Sequence, residues 1–167
     1  MLEILCFYTT VEVSQVTGRK KGGARMGFFD KLRSGKKDYP VLDGTSMAAD
    51  RIEKIRDHLE SLSKRVHKPL EVIPGEDGSY IFIGKPPKDF GVAWIEGSKL
   101  HSFKTLVEED GVNPKDLPRI SEDLRKAYEQ NLEDARFTTK IGNKDIVVTP
   151  SEGFRAQVRE IIHQAGH

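Results

Sequence analysis

The sequence predicts an α+β fold: a mainly antiparallel sheet of about five strands with three to four packed helices, in the order α-β-β-β-α-α-β-β-α. Three observations carry this. The strand-like segments are joined by hairpin-length links with no regular β-α-β alternation, which disfavours a parallel, doubly wound sheet. The helix-like segments carry apolar residues at steps of three and four, so each has one face to bury. A chain of 167 residues is also long enough to bury roughly two thirds of its unfolded surface without a disulfide or structural metal.

The first helix begins at Thr45 or Ser46, whose hydroxyls can accept the free backbone N–H groups, and runs to about Val66, ahead of Pro69. Ile52, Ile55, Leu59, Leu62 and Val66 step by three and four and form its stripe. Strands follow at Leu70–Ile73, Tyr80–Ile83 and Val92–Ile95, the first two linked through Gly75-Glu76-Asp77-Gly78, whose glycines can take positive φ. Lys99 to Asp110 reads as a short helix carrying Phe103, Leu106 and Val107 and stopping at Gly111.

Asn113-Pro114 and Leu117-Pro118 read as breaks before a third helix, Ser121 to Ala135, capped by Ser121 and buried through Leu124, Tyr128, Leu132 and Ala135. Phe137–Ile141 and Asp145–Thr149 flank Gly142-Asn143, a two-residue hairpin signal. Thr149-Pro150-Ser151-Glu152 then reads as a capping box with proline at the first helical position, opening a helix that buries Phe154, Val158, Ile161 and Ile162.

Charge is unevenly distributed although the net charge is only +1. Eight basic residues face one acidic residue between positions 19 and 37, while positions 38 to 167 hold 19 basic and 23 acidic residues. The chain therefore divides into a leader (1–25), a basic arm (26–44) and an α+β domain (45–167). Lys20-Lys21-Gly22-Gly23-Ala24-Arg25 reads as a translated ribosome-binding site ahead of a second start at Met26, so the leader is expected to lie upstream of the true start. Met26-Gly27-Phe28-Phe29-Asp30-Lys31-Leu32 resembles the openings of many small bacterial proteins without defining a family. Gly27 is no myristoylation signal, because Lys31 stands where Ser or Thr is needed.

The single cysteine, Cys6, cannot form an internal disulfide or a cysteine zinc cluster, and a reducing, cytoplasmic setting is expected. Apolar runs such as Tyr80–Ile83 and Val92–Ile95 hold four residues, against the roughly 20 a spanning helix needs, so no transmembrane segment is expected. The acidic balance of the body argues against nucleic acid as a partner and leaves only the arm for such contact. His163 and His167 stand at i,i+4 near the C-terminal end, but a stable zinc site wants three or four ligands, so no metal or other cofactor is expected. No Gly-x-Ser-x-Gly, phosphate-binding glycine loop or other catalytic constellation occurs, and no catalytic residue is assigned.

Two features point to binding. Tyr80–Ile83, Val92–Ile95 and Ile146–Val148 are apolar on successive residues, so both faces of the sheet need a cover. The chain's own helices or arm can supply it, or a partner or apolar ligand can occupy a groove that includes Phe82 or Trp94. The loop Gly84-Lys85-Pro86-Pro87-Lys88-Asp89-Phe90-Gly91 offers two lysines on a proline-stiffened tip. The expected binding residues are therefore Lys85, Lys88, Phe90, Trp94 and Phe82, with Phe28, Phe29, Lys31 and Arg33 as contacts of the arm. The expected function is a noncatalytic accessory or protein-interaction module of a bacterial cytoplasmic complex, its partner another protein or a second copy of the chain. The alternative is a small enzyme or sensor holding an anionic metabolite in a sheet-and-loop pocket.

Overall fold

A computed structural model describes residues 38–166, which form a three-layer arrangement of five helices around a six-stranded mixed sheet. The helices are α1 (Met47–Lys54), α2 (Arg56–Arg65), α3 (Phe103–Glu108), α4 (Leu117–Gln130) and α5 (Glu152–Ala165), with a 3₁₀ turn at Pro114–Asp116. The strands are β1 (Leu70–Ile73), β2 (Gly78–Lys85), β3 (Asp89–Glu96), β4 (Lys99–Ser102), β5 (Phe137–Ile141) and β6 (Lys144–Val148), lying in the order β4-β3-β2-β1-β6-β5. The α+β class holds, whereas the expected five antiparallel strands and three to four helices do not.

Each departure has a local cause. The long N-terminal helix divides at Ile55, where the backbone turns to φ −113°, ψ 14° and the Ile55 N–H reaches back to the Ile52 carbonyl at 3.1 Å, a three-residue step. The apolar stripe survives the break, since Ile52, Leu59, Leu62 and Val66 all remain buried against the same face of the sheet. Lys99–Ser102 is a strand, not a first helical turn. Gly97, at φ +64°, tightens the turn after β3 so that Lys99–Ser102 fold back along that strand, with Glu96 opposite Lys99 and Ala93 opposite Ser102. Ser102 then caps α3 through a reciprocal bond with Thr105.

Leu117-Pro118 opens α4 rather than breaking the chain, because proline in a first turn forfeits only an N–H that has no helical partner. Ser121 consequently lies buried within α4 instead of capping it. At the last helix Ser151 is the cap, accepting from the Phe154 N–H at 3.2 Å. The Thr149 hydroxyl is used elsewhere. The parallel pair is β1 with β6, Glu71 opposite Val147 and Val72 opposite Val148, a pairing between segments more than 70 residues apart for which no turn gives a local signal.

Alternation along the strands sends side chains into two separate cores. Leu70, Val72, Ile81, Ile83, Ala93, Ile95, Ile146 and Val148 meet α1 and α2. Ile73, Tyr80, Phe82, Phe90, Val92 and Trp94 meet α3, α4 and α5. Both faces of the sheet are thus covered by the chain's own helices. Outside β5, Thr138 donates to the Pro40 carbonyl and accepts from the Leu42 N–H, both at 2.8 Å, so residues 40–42 lie along that edge.

Candidate functional site

The β2–β3 hairpin tip is the first candidate. Strand pairing continues to Lys85 opposite Asp89, and the Pro86–Pro87 peptide bond at the tip is cis. Arg125 of α4 donates through Nε to the Pro87 carbonyl at 2.8 Å and through Nη1 to Glu122 at 2.6 Å, and its guanidinium stands 6.0 Å from the Phe90 ring centre. The tip is therefore fastened to a long helix on one side. Lys85 and Lys88 are exposed at this tip, and neither forms an ion pair with a carboxylate among the described residues.

A second candidate lies at the other end of β3. A crevice of about 250 Å³ opens between the β3–β4 turn and the C-terminal ends of α3 and α5. Trp94, Leu106 and Ile162 form its apolar wall, and Glu96, His101, Asp110 and His163 bring polar groups to it, with Gly166 at its rim. His101 stacks on Trp94 with ring centres 5.7 Å apart and planes within 10°. His163 Nε2 stands 3.7 Å from a Glu96 carboxylate oxygen, too far for a hydrogen bond. Beneath the wall, burial pushes the Tyr80 hydroxyl up to about 12, with the Glu96 charge acting in the same direction. Among the described residues no three His, Cys, Asp or Glu side chains are placed to hold a metal ion.

The third polar cluster is buried under α4. Glu71, on β1, points away from α1 and α2 and accepts from the Tyr128 hydroxyl at 2.7 Å, Arg136 Nε at 2.9 Å and the Thr149 hydroxyl at 2.7 Å. Arg136 donates in addition to the carbonyls of Leu132 and Asp134, each at 3.0 Å, and lies over the Tyr128 ring at 5.2 Å. Burial drives the Tyr128 hydroxyl well above the ordinary tyrosine range, and the neighbouring Glu71 charge drives it further. Apart from Arg136 Nη2, which is buried without a hydrogen-bond partner among the described residues, these groups serve one another, and the cluster ties β1, the α4–β5 link, the β6–α5 link and α4 together, which is a structural role.

The structure separates the residues singled out from sequence. Phe82 and Phe90 are fully buried with ring centres 5.4 Å apart, packed against Tyr128 and Phe154 within the helix-covered core. Lys85 and Lys88 stand at the hairpin tip. Trp94, 2% exposed, borders the crevice instead, several residues along β3 at about 3.3 Å each. Phe28, Phe29, Lys31 and Arg33 lie outside the described residues, as do the leader and His167. The crevice escaped sequence reasoning because its residues come from β3, β4, the end of α3 and α5, and the strand at Lys99–Ser102 that places His101 was read as helix. No helix among the described residues is long and apolar enough to cross a membrane. Comparison with protein families, characterised proteins and solved structures gives no match for this chain.

Proposed function

We propose that this chain is a noncatalytic binding module, an accessory subunit of a bacterial cytoplasmic complex, which docks an acidic surface of another protein through its Gly84–Gly91 hairpin. One observation carries the reading: two exposed lysines without ion-pair partners among the described residues sit on a tip that Arg125 fastens to α4. A tip already held in place loses less conformational freedom on docking than a free loop, and complementary charge raises the rate and selectivity of encounter. Phe82 and Phe90 then support the hairpin from inside without touching the partner. The arm residues Phe28, Phe29, Lys31 and Arg33 belong to the same proposal as additional contacts.

The test begins with native mass spectrometry of the untagged protein from its own host, which reports whether a second chain, or a second copy, accompanies it. The parent complex should weaken as salt rises, and Lys85→Glu/Lys88→Glu should abolish it, while leaving the thermal midpoint unchanged because both side chains are exposed. Equal retention of the partner by the variant would overturn the hairpin as the docking surface. The same two lysines also suit an anionic metabolite. That reading, a small enzyme or sensor, requires a phosphate- or carboxylate-bearing compound to stabilise the protein by about 2.7 kcal/mol at 100 times its dissociation constant, with the gain lost in the same variant.

A further inference from the structure

We propose that the margin of the sheet formed by β6, β5 and residues 40–42 is the docking surface for a segment of this same chain, residues 28–37, which lies back over it and buries Phe28, Phe29 and Leu32. This does not rest on the hairpin reading, which is tested on other residues. It takes Phe28 and Phe29 from the partner of that reading and leaves Lys31 and Arg33 to it.

Strand register defines the surface. Glu71 of β1 lies opposite Val147 of β6, Val147 opposite Thr138 of β5, and Thr138 opposite Val41, so the four side chains form one row on the face that carries α3, α4 and α5. Helical cover along this row is uneven. The core beneath those three helices draws its strand residues from β1, β2 and β3 and takes none from β5 or β6. Exposure rises outward accordingly: Glu71 is buried, Val147 and Thr138 are half-buried, and Val41 is 79% exposed. Leu132, 50% exposed, stands on the link from α4 into β5, where its carbonyl accepts from Arg136. Val41, Met47 and Leu132 are the exposed large apolar side chains among the described residues, and two of the three belong to this margin.

The path of the chain identifies the occupant. Residues 40–42 run parallel to β5, so the chain arrives from the Arg136 end of that strand, and Tyr39 lies close enough to Arg136 and Tyr128 for its hydroxyl to act on both. Only Arg33 to Lys37 separate Leu32 from Asp38, a stretch that spans up to about 20 Å. Val147 is two strand spacings from Val41, about 10 Å. Phe28, Phe29 and Leu32 are therefore within reach of the uncovered row. Charge matches as well: Glu133 is exposed beside Leu132, and Asp134 holds a buried carboxylate oxygen without a hydrogen-bond partner among the described residues, while Lys36 and Lys37 adjoin Asp38. A segment tethered this closely meets its site at high effective concentration, so a small apolar contact suffices to hold it.

The test places a nitroxide on the segment and reads the body. Because Cys6 is the only cysteine, the full chain with Cys6→Ser and Asp30→Cys takes the label at one position, and its valine and leucine methyl groups are followed by NMR. The Val41, Leu132 and Val147 signals should lose most of their intensity relative to the reduced nitroxide. Val107 of α3, the helix that follows β4 at the opposite edge of the sheet, should keep its intensity. Adding Phe28→Ala/Phe29→Ala/Leu32→Ala to the labelled chain should restore the three signals, with an unchanged Val107 shift showing that the body remains folded. Val41→Ser, at an exposed position and so without cost to the fold, should weaken the loss at Val147. Mixing nitroxide-bearing chain with methyl-labelled chain that lacks the nitroxide should leave every signal intact. Loss of intensity in that mixture would assign the surface to a second copy and overturn the proposal. So would undiminished Val41 and Val147 signals in the labelled chain, or an equal loss after the three alanine substitutions.

Discussion

Replacing Glu71 by Leu should be among the most damaging single changes available to this fold, and the structure states why. The carboxylate takes three hydrogen bonds at 2.7 to 2.9 Å, and its cationic partner Arg136 has a side chain only 4% exposed. With Glu71 gone, Arg136 keeps its two carbonyl bonds but remains a buried charge without a counter-ion, and the hydroxyls of Tyr128 and Thr149 lose their acceptor. Breaking a buried pair from one side costs about 3–5 kcal/mol, a large share of the roughly 5–15 kcal/mol that holds a domain together.

The double variant Glu71→Leu/Arg136→Met separates charge from packing. It removes both ions at once, so its cost should fall well short of the sum of the single variants, with a coupling of about 2–3 kcal/mol. Tyr128→Phe, which deletes one hydrogen bond and leaves the ion pair, should cost about 1 kcal/mol. The assay is urea unfolding of the full chain at pH 7.5, followed by Trp94 fluorescence and circular dichroism and analysed from midpoints at constant slope. A loss below about 1 kcal/mol for Glu71→Leu, or additivity of the two single variants within about 0.5 kcal/mol, would refute the view that this cluster joins β1 to α4 as a coupled unit.

Two further outcomes follow from the same packing. Gly75→Ala should destabilise by about 1–3 kcal/mol, because a β-carbon there would overlap both the Arg155 side chain and the Gly78 backbone carbonyl; Arg155→Ala should rescue only part of the loss, and full rescue would show that the backbone contact yields. In an alkaline titration monitored near 295 nm, Tyr80 and Tyr128 should not contribute phenolate by about pH 11, where an unfolded chain ionises all four tyrosines. Both folded values lie above the unfolded one, so the fold favours the protonated hydroxyls. Their contribution to stability is complete below about pH 10 and is lost as pH rises through the folded values. Phenolate appearing in full at pH 11 while circular dichroism remains native would contradict their burial.

Most of the elements were legible because their signals are local. The three-and-four stripe from Ile52 to Val66, the apolar runs in β2 and β3 and the Gly142-Asn143 turn are each settled within a few residues, and the chain has little choice but to follow them. What was not legible depends on residues distant in sequence. Nothing around Glu71 or Val147 announces that their strands run side by side in parallel. Glu71 itself reads as an ordinary surface charge on a strand until Arg136 and Thr149, some 65 and 78 residues on, are brought to it. Lys99–Ser102 shows the other kind of failure: four residues with one strong apolar position carry too little pattern to choose between helix and strand, and Gly97 decides through the geometry of the turn.

The doubly apolar strands needed a cover on both faces, and either the chain or a partner could have supplied it. The structure places α3, α4 and α5 over Phe82, Phe90 and Trp94, so apolar area no longer marks the working surface. Charge without a partner does not mark it either, since the exposed Lys54, Lys64, Lys115 and Lys126 form no ion pair among the described residues any more than Lys85 and Lys88 do. Some charged side chains are neutralised by a neighbour three or four residues away or across an element, as at Arg56 with Glu53, Lys99 with Glu109 and Arg51 with Glu152, and others stand in solvent. What sets Lys85 and Lys88 apart is their place on a hairpin tip that Arg125 fastens to α4. Exposed, unpaired lysines add little to the stability of the fold, since isolated surface charges contribute little. On the reading proposed above, the fastened tip presents this positive charge to an acidic partner, and the hairpin needs little further ordering to do so.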